Sequence, residues 1–306
     1  MTMNIVQLQN MPSQIEMLAA QRHLYSTAKN VIGLQIFLSG PAAIAATLFG
    51  IFDPSVKTYV AAWGLLVIFF DLVIFLPWQK KLKDSAARVQ ELFDCTVLSL
   101  SWNELKTGRK PERELIHEHY RNFGNDPKAI GFLKDWYPTI VQDVPIIWGA
   151  IICQRCNVWW DSKQRRRYAM AVAAGMLFVS LGLLAYGAYA NVKVLDFIIY
   201  IAVPMASGYA MGYRQITEHR EAADRLDKLK EHAEKLWEEA LQDATVQTLK
   251  VKLRNLQDEI FDGRKRNPLI FDFIFKRFRS EHELAMNVGA DALVSQARKK
   301  LSKPTH

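Results

Sequence analysis

The sequence predicts an all-α integral membrane protein, with four transmembrane helices in two hairpins plus helical cytoplasmic regions. Three observations carry that expectation: four apolar runs with almost no charge, small residues recurring inside them, and lysines and arginines gathered at one end of each run. Average composition hides all three, because 306 residues that are 50% hydrophobic, with a mean hydropathy of -0.04, would pass for a soluble protein. A hydrocarbon core about 30 Å thick needs about 20 apolar residues in helical form, so the length of each charge-free run is the telling measure. Residues 31–52 and 168–190 contain no charge, 58–78 contain only Asp71, and the shorter run 197–213 contains none. A core helix of a soluble protein would show a polar face at a 3.6-residue period, and the runs that begin at Val31 and Tyr168 show none. Gly40, Ala43, Ala46 and Gly50 in the first run, and Gly175, Gly182 and Gly187 in the third, suit close helix packing in lipid.

Orientation follows from the basic residues, which are retained on the cytoplasmic side. Arg22 and Lys29 precede the first run, and Lys80, Lys81, Lys83 and Arg88 follow the second. Lys163 and Arg165 to Arg167 precede the third, and Arg214 and Arg220 follow the fourth. The short connections at 53–57 and 191–196 each hold one Lys and one Asp, so they are expected outside, with both termini in the cytoplasm. A polar stretch of thirty residues before the first run argues against a cleavable signal peptide. The chain then divides into a cytoplasmic segment (1–30), a first hairpin (31–78), a cytoplasmic helical block (79–167), a second hairpin (168–213) and a helical tail (214–306).

Within the block, Leu82, Ala86, Val89 and Phe93 continue the second span at helical spacing, and turn-rich passages lie at 107–111 and 124–127. In the tail, Ala222, Leu226, Leu229, Ala233, Leu236 and Ala240 form a heptad seam, which resumes with Val246, Leu249, Leu253, Leu256 and Ile260 after a slip near Asp243. A coiled coil between subunits and a helical hairpin within one chain would both use that seam.

The familiar catalytic signatures are missing: the sequence has no phosphate-binding glycine loop, HExxH, GxSxG or GxGxxG. The expectation is therefore a protein that is not an enzyme and needs no cofactor. Cys153 and Cys156 form a CxxC, and His117 and His119 could in principle complete a zinc site. The second pair lacks a familiar spacing, so no metal is expected. Cys95, Cys153 and Cys156 all fall on the cytoplasmic side, where thiols stay reduced. The net charge of +8 is accounted for by topology and anionic headgroups, so a nucleic-acid polymer is not an expected partner.

Asp71 is the one ionisable residue inside a span, and a carboxylate there must face water, a partner or the bundle interior. It is the candidate pore or gating residue, with structural pairing to Ser39 or Tyr186 as the alternative. The densest functional stretch contains Gln154, Arg155, Trp160, Asp161, Arg165 and Arg166, with Arg264 and Asp258 as contributors from the tail. Arginines beside tryptophans at a membrane entry can serve as interface anchors. The same residue types can also neutralise a phosphate and stack on a base.

Three segments carry a resemblance: QLQNMPSQIEMLAAQRHLYSTAK, WYPTIVQDVPIIWGAIICQRCNVWWDSKQRRRYA and LQDEIFDGRKRNPLIFDFIFKRFRSEHELA. Together they bracket all four runs, and the chain resembles the four-transmembrane effector family associated with bacterial cGAS-like (SMODS) nucleotidyltransferases. Cys156 departs from the small polar residue that the family pattern leads one to expect. The resemblance implies a pore-forming effector of CBASS anti-phage systems in the bacterial inner membrane. Such an effector would answer a cyclic oligonucleotide made by a cognate nucleotidyltransferase and act as a homo-oligomer that permeabilises the bilayer on infection. A membrane-embedded enzyme acting on lipid headgroups, with His117, Glu118 and His119 as acid or base, and a passive scaffold or sensor are the alternatives.

Overall fold

In a computed structural model of the chain, which describes residues 3–39, 41–42, 45, 57–198 and 202–302, all regular structure among the described residues is helical. Gly40, Ala43, Ala46 and Gly50, the connection at 53–56 and residues 199–201 of the fourth run lie outside the described residues. Helix α1 (Ile5–Gln9) opens on a capping box between Asn4 and Gln7, and α2 (Pro12–Ser39) follows. Helix α3 (Lys57–Phe70) passes through one π-helical turn (Asp71–Phe75) into α4 (Leu76–Val97), with helical backbone at both junctions. Short helices α5 (Glu104–Thr107), α6 (Arg113–Phe123) and α7 (Pro127–Gly131) occupy the expected block. Gly108 and Gly124 close α5 and α6 at φ 72° and 87°, a left-handed backbone that glycine adopts without a Cβ clash.

A 3-10 turn (Thr139–Asp143) leads into α8 (Ile146–Tyr189), a helix of 44 residues and so about 66 Å long. The short α9 (Val194–Phe197), α10 (Val203–Leu241), α11 (Val246–Arg266) and α12 (Asp272–Leu301) complete the chain. Helices α8 and α10 pack antiparallel along their length, because partners on α8 descend as those on α10 rise. Tyr209 meets Ser180, His219 meets Tyr168, Asp227 meets Ser162, Glu234 meets Arg155 and Trp237 meets Trp148. Gly212 lets α10 approach Met176 so closely that an added Cβ would stand 2.5 Å from the sulfur.

One end of this helical assembly is a packed body. Phe93, Leu133, Ile151, Ile152, Leu236 and Leu253 are buried at its centre, while Ala20, Leu24, Ala28, Leu82, Ala86 and Val89 join α2 to α4 beside it. Leu82, Ala86, Val89 and Phe93 thus form the buried face that their spacing predicts. Apart from Val246, which is exposed, and Leu229, which is half-buried, the tail seam is also buried, and inside its own chain. Leu226 and Ala233 pack with Val158 of α8 and with Leu256 and Ile260 of α11, so the slip near Asp243 is the turn of a helical hairpin.

The other end has the opposite character. Leu65, Leu66, Ile68, Phe69, Leu72, Val73 and Trp78 are exposed on the α3 to α4 rod, and Gln79 and Leu82 beyond them are buried. On α8 the buried stretch ends at Tyr168 and Ala169, after which Met170, Leu177, Phe178, Leu181 and Leu184 stand exposed. Among the described residues, α8 is the one helix long and apolar enough to cross a membrane by length and composition, and only 11% of its most apolar window is buried.

Candidate functional site

Seven side chains from four parts of the chain meet in a buried polar cluster inside the body. Asp94 accepts from the Tyr137 hydroxyl at 2.7 Å and from Gln257 Nε2 at 2.8 Å. The same Gln257 amide donates to Glu91 Oε2 at 2.8 Å, and Arg254 Nη2 donates to Glu91 Oε1 at 2.6 Å. Gln154 donates to Gln257 Oε1 and to the Leu253 carbonyl. Burial raises the Glu91 carboxyl pKa and Asp94 adds to the effect, while Arg264 and Arg254 oppose it. Arg264 is held protonated by Asp94, Tyr137 and Glu91 against its own burial. Its Nη1 lies 2.7 Å from Asp94 Oδ2 but is out of line for a hydrogen bond, and its Nη2 has no hydrogen-bond partner.

Arg264 also lines one of two neighbouring clefts that share Arg22, Trp136, Asn157 and Trp160. The narrower, of about 210 Å³, lies between α2, α4, α8 and the 267–270 segment. Four cations (Arg22, Lys29, Arg165 and Arg264) and one carboxylate (Asp161) stand in its wall. Ile270 in that wall packs on Tyr168, so the cleft adjoins the level at which α8 emerges from the body. The wider cleft, of about 390 Å³, is aromatic, with Phe132, Trp136, Tyr137 and Trp160, and its charges balance as Arg22 and Lys134 against Asp135 and Glu283. Its volume falls within that of small-ligand sites, which run from about 300 to 1,000 Å³.

The residues singled out in the sequence divide between these places. Trp160, Asp161, Arg165 and Arg264 line the narrower cleft. Gln154 is fully buried in the polar cluster, and Asp258 pairs there with Arg254 at 3.0 Å and accepts from Asn103. Arg155 pairs with Glu234, and Arg166 pairs with Asp224 and Asp227. Successive helical residues turn by about 100°, so three adjacent arginines serve three neighbours. Arg165 donates to the Pro268 carbonyl at 2.8 Å and pairs with Asp161, Arg166 faces α10, and Arg167 bonds Glu281 of α12.

Sequence reasoning did not single out Glu91, Asp94 and Gln257, nor Tyr25, Trp136 and Gln164 of the clefts, while Asn157 lies within the dense stretch that it did mark. The signal for the first group was present: Glu91 and Asp94 interrupt the apolar face of α4 between Val89, Phe93 and Val97, where a carboxylate has to find a partner. Asp71 sits at the start of the π turn and accepts from Gln35 of α2, which in turn accepts from Gln79 at 2.7 Å. Its structural partner is thus Gln35, in place of the Ser39 or Tyr186 expected.

Cys95 stands at the edge of the polar cluster, where its Sγ donates to Glu91 Oε1 at 3.4 Å and accepts from Arg254 Nη1 at 3.2 Å. Cys153 and Cys156 sit in the apolar core, where burial pushes the Cys156 thiol up to about 12. Among the described residues no group of three or more His, Cys, Asp or Glu is arranged to hold a metal ion. His119 instead meets His23 of α2, Nδ1 to Nδ1 at 2.9 Å.

A helical body with a cationic and aromatic cleft continues here into exposed apolar helices, the composition of a membrane-associated protein. A sequence profile for the SMODS-associating 4TM effector domain matches residues 3–293, and the chain belongs to that family. It is also similar to a protein of Bacillus cereus (strain VD146) described as a probable CBASS effector molecule, with 22% identity over 231 residues covering 74% of this chain and 77% of the relative. No solved structure matches the chain. The three segments that carried the resemblance in the sequence supply most of the cleft walls: Arg22 and Tyr25 come from the first, Trp136 to Arg165 from the second, and Arg264 to Glu283 from the third.

Proposed function

We propose that the chain is a CBASS effector that spans the bacterial inner membrane four times, responds to a cyclic oligonucleotide and permeabilises the bilayer as a homo-oligomer, without catalysis. The family, whose members associate with nucleotidyltransferases, supports the effector role. The observation that carries the membrane reading is the abrupt change along two separate rods, buried to exposed apolar, between Gln79 and Trp78 on one and between Ala169 and Met170 on the other. An exposed apolar surface of this extent needs a cover, and basic residues gather just inside the change on both rods: Lys80 and Lys81 on α4, and Arg165 to Arg167 on α8. Both termini and the packed body are then cytoplasmic.

Oligomerisation is argued from packing, because four helices of one chain close as a solid bundle and leave no aqueous path. The tail seam is occupied within the chain, so subunits would meet through the exposed apolar helices. Asp71, on the π turn, is the proposed gating residue, since π turns recur at functional positions in helices. The ligand surface is the double cleft, with Trp160, Asp161, Arg165 and Arg264 in contact. Gln154, Arg155, Arg166 and Asp258 hold the surrounding helices together.

The test is to express the chain with its genomic neighbours and follow membrane potential with and without added cyclic nucleotides. Collapse of the potential that requires both the chain and the nucleotide is expected. An intact potential under full induction sinks the reading. For topology, single cysteines at Glu112 and Glu239 should resist an impermeant thiol reagent added to intact cells, and labelling at either position would overturn the orientation.

A further inference from the structure

Three buried N–H donors in the cleft walls have no acceptor: Asn157 Nδ2, Gln164 Nε2 and Arg264 Nη2. Gln164 is 8% exposed and the Arg264 side chain 9%. An unsatisfied buried donor carries a desolvation cost, and native proteins rarely keep several together unless a ligand or water completes them. All three groups donate, so what completes them is an acceptor. The cation-rich wall of the narrower cleft favours one that is anionic.

The two compartments differ in a way that assigns the rest of the ligand. The narrower has a four-to-one excess of cations over carboxylates and holds Gln164 and Arg264; the wider is charge-balanced and aromatic. Trp160 and Asn157 stand in the shared wall. His282 of α12 lies edge-on to the Trp160 ring with centroids 5.5 Å apart, which limits the ring's freedom to swing away.

We propose, resting on the effector reading above, that the two clefts are one bipartite site that binds a cyclic oligonucleotide directly. The narrower compartment takes a phosphodiester on Arg165, Arg264 and Gln164, and the wider takes a base against Trp160 and Trp136. Asn157 donates at the junction. The wider compartment reads the base while the narrower reads only charge, so ligands that share a phosphate ring and differ in bases are separated there.

Binding of a panel of cyclic di- and trinucleotides to the detergent-solubilised full-length chain, by calorimetry, tests this with two variants. Trp160→Ala should weaken binding roughly tenfold or more, the loss expected for one stacked base, and Trp160→Phe should restore most of it. Gln164→Leu should weaken binding roughly tenfold yet leave the melting temperature of the ligand-free protein unchanged or higher, because it removes an unsatisfied donor. A residue with only a structural role would lower that temperature. Wild-type affinity in both variants overturns the site and leaves the effector reading standing. So does failure of the wild-type chain to bind any member of the panel while the potential still collapses in cells. Binding that follows the predicted pattern without any collapse sustains the site and sinks the effector reading.

Discussion

Arg264 Nη1 lies 2.7 Å from Asp94 Oδ2, with side chains 9% and 0% exposed, and the same guanidinium forms part of the cleft wall. Its charge therefore holds α11 to α4 and is presented to whatever enters the cleft. Removing one partner of a buried pair leaves an uncompensated charge, at about 3–5 kcal/mol. Arg264→Met should destabilise the protein by about that amount, read as thermal or denaturant unfolding in detergent. Adding Glu91→Gln and Asp94→Asn to the same chain should recover most of the loss.

The run Arg165 to Arg167 provides an internal comparison. Arg166→Lys keeps an exposed pair with Asp224 and Asp227, worth at most about 1 kcal/mol, and Arg155→Lys keeps the charge beside Glu234. Both should be silent in nucleotide binding and nucleotide-triggered leakage. Arg165→Lys loses the planar fork that spans the Pro268 carbonyl and Asp161, and should weaken binding roughly tenfold. Equal effects at 165 and 166 would contradict the placement.

His219 is buried against Tyr168, with ring centroids 4.3 Å apart, and burial, then Arg165, pushes its pKa down to about 3 from 6.5. Between those values the unfolded chain binds a proton that the folded chain does not. Stability is therefore lost as pH falls below 6.5, by up to about 1.4 kcal/mol per pH unit. His219→Gln should flatten that acid limb, seen as a smaller drop in melting temperature between pH 7.5 and 5.5. An unaltered drop would exclude this histidine as its source.

Asp71→Asn keeps a group that can accept from Gln35 and removes the charge. Insertion and assembly should be preserved, while single-channel conductance or ion preference changes. Asp71→Leu also loses the acceptor and should be more severe. Identical channel records for wild type and both variants would remove Asp71 from the mechanism.

The helical class, the reach of α4 into the body and the apolar seam of the tail were legible because each rests on periodicity or on an unbroken apolar run, and both are local. Whether the seam at Leu226 and Ala233 closed within or between chains was not, since a heptad specifies a face and says nothing of its partner. The cleft was legible in half. Trp160 and Arg165 stood out by residue type, but Arg166 shares the type and points elsewhere, a difference set by which helix lies alongside. Tyr25, Trp136 and Gln164 are unremarkable in sequence and become neighbours only through tertiary packing of α2, α8 and the 131–139 segment.

The π turn at Asp71–Phe75 stores one residue more than the α-helix on either side of it. Taking that residue up would rotate the segment before it by about 100° relative to α4, while Leu82, Ala86 and Val89 stayed seated against α2. The outer half of the rod has in this way a rotational phase of its own. It can turn a different stripe of Leu65, Phe69 and Leu72 toward its neighbours without being dragged lengthwise through the packing that anchors its base.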